Sequence, residues 1–192
     1  MKSSVEKWVK ESADTILKEI GIKKGHRVLD FGCGSGNYTI AAARVVGKQG
    51  LVYALDEDEE SLNQLMHRAK SIGLKNIIRL DASHEPRIGL DDKSIDVVLL
   101  YDILHYYYFP KEEDRRQLLR GLYHILRANG LLSLYPTHLQ SHMEPNLEDV
   151  RKEIEEAGFY QEREYSGVIM VHDDNLEQGC IINFRKGREI GT

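Results

Sequence analysis

Apolar positions along this chain follow two alternating rhythms. Val5, Trp8, Val9, Ile16, Leu17 and Ile20 recur at three- to four-residue spacing up to Gly21, which marks one face of a helix. Ser3 and Glu6 stand three apart at its start, the pattern of a capping box. Short apolar runs then appear at 28–31, 50–56, 76–82, 94–101 and 131–136, each of a length suited to a strand buried on both faces. Between them the helical period returns. It carries Ile40 to Val46, then Leu62, Leu65, Met66, Ala69 and Ile72 up to Gly73. A third helix starts at Glu112, buries Leu118, Leu119, Leu122, Ile125 and Leu126, and ends at Asn129-Gly130. A fourth starts from Asn146 as its cap and runs through Leu147, Val150 and Ile154 to Gly158. Two last strands, 159–171 and 179–184, flank the polar turn Asp173-Asp174-Asn175. Regular strand–helix alternation from 26 to 158 predicts an α/β fold with a doubly wound parallel sheet. No linker or repeat divides the chain, so 1–192 reads as one domain, an N-terminal helix at 1–21 and a core at 22–192.

The first strand breaks on Gly32, Gly34 and Gly36 and runs directly into a helix. Glycines there allow a backbone angle closed to other residues, approach of a ligand to bare main chain, and close packing of the helix. The helix's N-terminal amides face whatever lies in the turn. A dinucleotide fingerprint would put its third glycine where Asn37 stands. Asp30, just before the turn, would repel a pyrophosphate but suits a cationic ligand.

Acids also close the next two strands. Asp56 lies twenty residues beyond Gly36, where a carboxylate receives the two hydroxyls of a ribose; NAD and S-adenosylmethionine (SAM) share that need. Asp58, Glu59 and Glu60 suit the first turn of the following helix, which leaves Asp56 and Glu57 for a ligand. Asp81 ends the third strand. The string Val-Leu-Asp-Phe-Gly-Cys-Gly-Ser-Gly at 28–36, with these acids, resembles the first motif of the class I SAM-dependent methyltransferases. The resemblance covers 3–185 and is greatest to the small-molecule branch. It implies a Rossmann-like, seven-stranded, mostly parallel sheet with an antiparallel C-terminal hairpin, in the order 3-2-1-4-5-7-6. It also implies SAM as cofactor, held by Asp30, Gly32, Cys33, Gly34, Gly36, Asp56, Glu57 and Tyr101. Asp81 would accept from the adenine amine while the Ala82 amide donates to a ring nitrogen.

Composition narrows the partners. A net charge of −5 speaks against a surface that tracks phosphates,; Arg115, Arg116, Arg120 and Arg127 read as the solvated face of a helix. Two cysteines, Cys33 and Cys180, make neither a disulfide framework nor a metal quartet,. With no signal-like or membrane-length apolar run, the expectation is a reduced, cytoplasmic protein. Its expected partner is a small-molecule acceptor, with no nucleic acid, no membrane and an open oligomeric state.

The acceptor should lie beyond the fourth and fifth strands. There the chain carries Asp102-Ile103-Leu104-His105, then Tyr106, Tyr107, Tyr108 and Phe109; two of these four aromatics are expected to pack against a helix. His105 matches a position where the family often has histidine and is the candidate base. His138 and His142, four apart, are read as pocket lining and not as a metal site. Alignment of donor and acceptor supplies about 7–11 kcal/mol and a general base about 3–5 kcal/mol, so no catalytic signature is required. Other readings are a protein or nucleic-acid methyltransferase, a non-catalytic SAM-binding protein, and an NAD-dependent dehydrogenase that tolerates Asp30 and Asn37.

Overall fold

A computed structural model of the chain describes residues 4–81 and 88–187. Its centre is a seven-stranded sheet made of β1 (Arg27–Phe31), β2 (Leu51–Asp56), β3 (Ile77–Asp81), β4 (Ile95–Tyr101), β5 (Leu126–Tyr135), β6 (Phe159–His172) and β7 (Asn175–Lys186). The order is β3-β2-β1-β4-β5-β7-β6. The first five strands are parallel, and β7 is antiparallel to both β5 and β6. Fold class and strand order are those expected from the sequence.

Alternate strand residues face opposite layers. Val28, Val97 and Leu99 join the core beneath α1 (Ser4–Glu11), α2 (Ala13–Glu19), α3 (Asn37–Val46) and α4 (Glu59–Ser71). Leu29, Val98 and Leu100 join the core beneath α5 (Glu112–Ile125) and α6 (Leu147–Glu156). With both faces covered, strands must be apolar throughout their length, as the runs in the sequence are. Two caps are also as expected or close to it. Asn146 forms a capping box with Asp149, and Asp58, one residue before α4, accepts from the Glu60 and Ser61 amides.

Local differences have physical causes. The N-terminal segment is two helices, broken at Ser12; Ser12 and Asp14 are weak helix formers, and Asp14 is drawn to Arg44 of α3, whose Nε donates to it at 3.0 Å. Ser3 of the expected capping box lies outside the described residues. α5 ends at Ile125, since Leu126 already pairs with Ile95 and pairing resumes at Val97↔Leu131 after an irregular excursion through Asn129. The four arginines are not a simple solvated face. Arg115 is buried and forks onto Glu153 of α6 through two 2.7 Å bonds, while Arg116, Arg120 and Arg127 pair with Glu112, Glu113 and Asp96. Asp96 also accepts from the Arg27 amide at 2.7 Å, a structural role that joins β4 to the start of β1.

The C-terminal hairpin is longer than the sequence suggests. Pairing with β5 stops at Leu134↔Ile182, whereas β6 and β7 stay paired out to His172↔Asn175. Asp173 and Asp174, both at left-handed φ (46° and 58°), close it with a two-residue turn, the turn that suits strand twist. Three bonds hold the end of β6 against the helical layer. Trp8 Nε1 donates to the Ile169 carbonyl at 3.0 Å; the Tyr38 hydroxyl donates to the Val171 carbonyl at 2.9 Å and accepts its amide at 2.8 Å. Trp8 therefore lies under the hairpin and braces it.

Arg115 also donates to the Phe109 carbonyl at 2.8 Å, so it ties the loop after β4 to both helices of one layer. Glu153→Ala leaves this cation buried without its partner. Urea denaturation should show a loss of about 3–5 kcal/mol; a loss below about 1 kcal/mol would assign the α5–α6 contact to apolar packing alone.

Candidate active site

The turn after β1 is shaped by its three glycines, which have φ of 74°, 49° and 87° at Gly32, Gly34 and Gly36. A Cβ on Gly36 would fall 2.1 Å from Leu65 Cδ1, so this glycine lets α4 close on the turn. Gly34 is different: a Cβ there would meet nothing within 4 Å. The space beside its Cα is open, as a surface for a ligand should be. The Gly32 and Cys33 amides donate to the Leu55 carbonyl at 2.8 and 3.1 Å. From α4, Arg68 donates to the Ser35 carbonyl at 2.5 Å and to Asn37 Oδ1 at 3.0 Å.

Two carboxylates flank this turn in contrasting states. Asp30 is buried, with one oxygen 2.5 Å from the donating Thr39 hydroxyl. Burial, with a smaller push from nearby Asp56, raises its pKa to about 6 against the pull of that hydrogen bond,. The same burial pushes the Cys33 thiol up, which keeps it protonated. Asp56 is half-buried. It accepts the Gly34 amide at 2.7 Å on one oxygen and the Asp58 amide at 2.9 Å on the other. Glu57 is exposed beside it. Asp81 pairs with Asp56 across β2 and β3, but its side chain and Ala82 lie outside the described residues. Tyr101 is buried, its hydroxyl 3.0 Å from Ser133 and its ring edge-on to Tyr38 and Tyr135. It packs the floor of the turn, with its polar tip already engaged.

Beyond β4 and β5 the structure assembles a second group. Asp102 and His138, at left-handed φ of 60° and 54°, are brought together with His172 from the hairpin end. His138 Nε2 and His172 Nε2 are 3.0 Å apart, and His172 Nε2 lies 3.5 Å from Asp102 Oδ2. On its other side His172 Nδ1 lies 3.2 Å from Glu177, which also accepts from the Tyr135 hydroxyl. Thr137 donates to Asp102. Burial pushes Asp102 up, but hydrogen bonds from His105 and Thr137, joined by His172 when its ring is protonated, outweigh it and hold the carboxyl below its ordinary value. A cleft of 380 Å³ borders Thr137, His138, His172 and Glu177.

His105 is only 2% exposed. The Tyr107 amide donates to its Nδ1 at 3.3 Å, which puts the ring proton on Nε2, 3.2 Å from Asp102 Oδ1 and 3.1 Å from the Asp102 carbonyl. Both nitrogens of the expected base are thus engaged, one of them by Asp102. Tyr106, Tyr107 and Tyr108 are exposed; of the four successive aromatics only Phe109 packs into the interior, its ring 6.4 Å from Phe31. The segment at 137–145 is not helical and His142 is exposed, so His138 finds His172 in place of its neighbour four residues on.

Sequence reasoning missed Thr39, Arg68, Asp102, His172 and Glu177. Asp102 had a readable signal, as a fourth acid at a fourth strand end. Nothing local announces His172, because its position depends on a hairpin that outruns the sheet.

Comparison with known proteins fits this geometry. A stretch of 72 residues is 40% identical to a probable cobalt-precorrin-6B C(15)-methyltransferase (decarboxylating) of Saccharolobus solfataricus, over 38% of this chain and 36% of that protein. A demethylmenaquinone methyltransferase of Listeria welshimeri is 30% identical over 68% of this chain and 51% of its own length. The chain thus spans between about a third and about half of these relatives. In three dimensions it superposes on a SAM-dependent methyltransferase from Aquifex aeolicus with a TM-score of 0.70 and 23% identity, over 96% of this chain and 100% of the other. A family described as a methyltransferase domain matches residues 22–178, and the chain belongs to it.

Proposed function

We propose that this chain transfers the methyl group of SAM to a small-molecule acceptor. The observation that carries the reading is Asp30, a carboxylate buried at the foot of a glycine turn whose middle residue is open. A buried anion without a cation is costly. A positively charged ligand over the turn would relieve that cost, whereas a pyrophosphate would aggravate it. Asp56, already aligned by the Gly34 amide, has the position to accept ribose hydroxyls, with Glu57 next to it. Asp81 and Ala82 take the adenine edge, Gly32, Cys33, Gly34 and Gly36 form the cradle, and Tyr101 forms its floor.

Bound SAM supplies a methyl group on a sulfonium, already a good leaving group. The protein's contribution is then mainly to align the acceptor, which supplies about 7–11 kcal/mol. Asp102, His138 and His172 are the polar groups at the acceptor end, and the exposed tyrosines offer flat apolar faces beside them. The relatives' names refer to demethylmenaquinone and cobalt-precorrin-6B, so the acceptor class inferred here is a small molecule and not a macromolecule. His105 acts through Asp102 as a positioning residue.

Calorimetry should detect one SAM per chain and no comparable binding of NAD. Asp56→Ala should weaken SAM by about 1.5–3 kcal/mol, the worth of hydrogen bonds to a charged group, with little change in melting temperature. Preference for NAD, or unchanged affinity in the variant, would reject the assignment.

Asp30 gives a prediction in pH. Its folded pKa, about 6, lies above the ordinary value of 3.8, so the folded state binds more protons between these values. Stability therefore falls as pH rises through that window. Asp30→Asn should remove this slope and be more stable than wild type above pH 6 by up to about 3 kcal/mol, while binding SAM about tenfold or more weakly. Denaturation at pH 4 and pH 7.5 checks the first point. An unchanged slope would mean Asp30 is not the group that titrates.

His105→Gln retains a donor for Asp102 and His105→Ala does not. Once an acceptor is identified, the Gln variant should keep more of kcat than the Ala variant, with SAM affinity in both within a few-fold of wild type. Equal and large losses in kcat would return the base role to the imidazole.

A further inference from the structure

The group beyond β4 and β5 is more than a hydrogen-bond cluster. Glu177 faces His172 Nδ1 at 3.2 Å, and a carboxylate in that place fixes the ring proton on Nδ1. The Nε2 of His172 then presents a lone pair. That lone pair looks toward Asp102 Oδ2 at 3.5 Å, another acceptor, and toward His138 Nε2 at 3.0 Å. Asp102 Oδ1 lies 4.0 Å from His138 Nε2. Two histidine nitrogens and a carboxylate therefore converge on one point, and the His172 lone pair faces the carboxylate, a pair of acceptors that a cation between them would satisfy.

We infer that Asp102, His138 and His172 form a binding site for a divalent transition-metal ion. Donors at about 2.0–2.2 Å from a shared ion lie about 2.8–3.6 Å from each other in octahedral or tetrahedral arrangement. One ligand atom from each of the three residues already lies within 4.8 Å of the others, with the histidines at 3.0 Å and His172 at 3.5 Å from Asp102, and side-chain rotations bring them within reach of this. The surroundings match what metal ligands require. Glu177 orients His172, while Thr137 and His105 hold Asp102 by hydrogen bonds, the kind of outer partners that fix ligand direction. Asp102 and His138 both hold left-handed backbone angles, an unfavourable conformation that the surrounding structure must maintain. Imidazole and carboxylate together favour zinc, iron(II), cobalt(II) or manganese(II) over calcium.

Three protein ligands leave coordination positions open. Given the methyltransferase reading, those positions suit an acceptor with oxygen donors, such as a hydroxyl beside a carbonyl. The ion would then fix the acceptor, while SAM is held by the separate glycine turn. Metal is expected to matter for transfer and not for SAM binding.

The full chain, freed of metal with a chelator, should be titrated with cobalt(II) while visible absorption is recorded, and with SAM by calorimetry with and without chelator. The expected result is one cobalt per chain with a ligand-field band, and SAM affinity within a few-fold in either condition. His138→Ala and His172→Ala should each weaken cobalt by at least about tenfold, and Glu177→Gln by about 10–100-fold. His142→Ala, outside the cluster, should bind as wild type. Retained SAM affinity in each variant reports that the fold survives, and Asp102→Asn provides a further variant on the same terms. Absence of a cobalt band, or equal cobalt affinity in all variants, overturns the metal site while SAM binding persists. Loss of SAM binding in wild type with and without metal would instead overturn the functional reading.

Discussion

A parallel sheet covered by helices on both faces has only its strand ends free for polar chemistry, and the architecture follows from that constraint. The interior of each strand must be apolar, so Leu29, Val98 and Leu100 meet one helical layer while Val28, Val97 and Leu99 meet the other. Strand order reverses between β1 and β4, and a crevice opens there at the carboxyl ends. Asp56 and Asp81 end their strands, and Asp30 stands one residue before the end of its own, on one side of the reversal. Asp102 and His138 follow β4 and β5 on the other. The division between a turn for one ligand and a polar cluster for another is thus set by topology before any side chain is chosen.

This explains which parts could be read in the sequence. Doubly buried strands appear as unbroken apolar runs, and the glycine turn has a fixed spacing, so the strands and the cradle at 32–36 were accessible, while the sheet order came with the family resemblance. Asp58 and Asn146 act through bonds to residues two or three away, and such local caps leave a local trace. Features that depend on distant partners left none. The break at Ser12 reflects the pull of Arg44 on Asp14. Arg115 stands on the apolar stripe of α5 with Leu118, Leu119 and Leu122, but its charge reads as exposed and its partner Glu153 is 38 residues away. His105 was noticed for its position, but its engagement by Tyr107 and Asp102 could be seen only in three dimensions.

Electrostatics at the two ends are complementary. Asp30 is an anion kept in a buried place that disfavours it, which makes a site ready for positive charge at some cost to stability. Around Asp102, by contrast, hydrogen bonds and histidines favour the ionised carboxyl. One end is poised for a cationic organic ligand, and the other holds a set of donors whose lone pairs converge. Helix α3 links them: Thr39 bonds Asp30, and Tyr38, its neighbour, bonds the strand that carries His172.

The irregularity at Gly167 governs which side of the hairpin meets the rest of the molecule. Ser166 pairs with Cys180 and Val168 with Gly179, so Gly167, at φ 74°, is an extra residue on β6. One added residue inverts the alternation of side chains for everything that follows. The earlier irregularity between Gln161 and Arg163 inverts it once, and Gly167 inverts it again. Parity along β6 is therefore a counted quantity. Were Gly167 paired instead of bulged, every later residue of β6 would move one place along β7, Val171 would oppose Asn175, and His172 would fall into the turn and away from Asp102,.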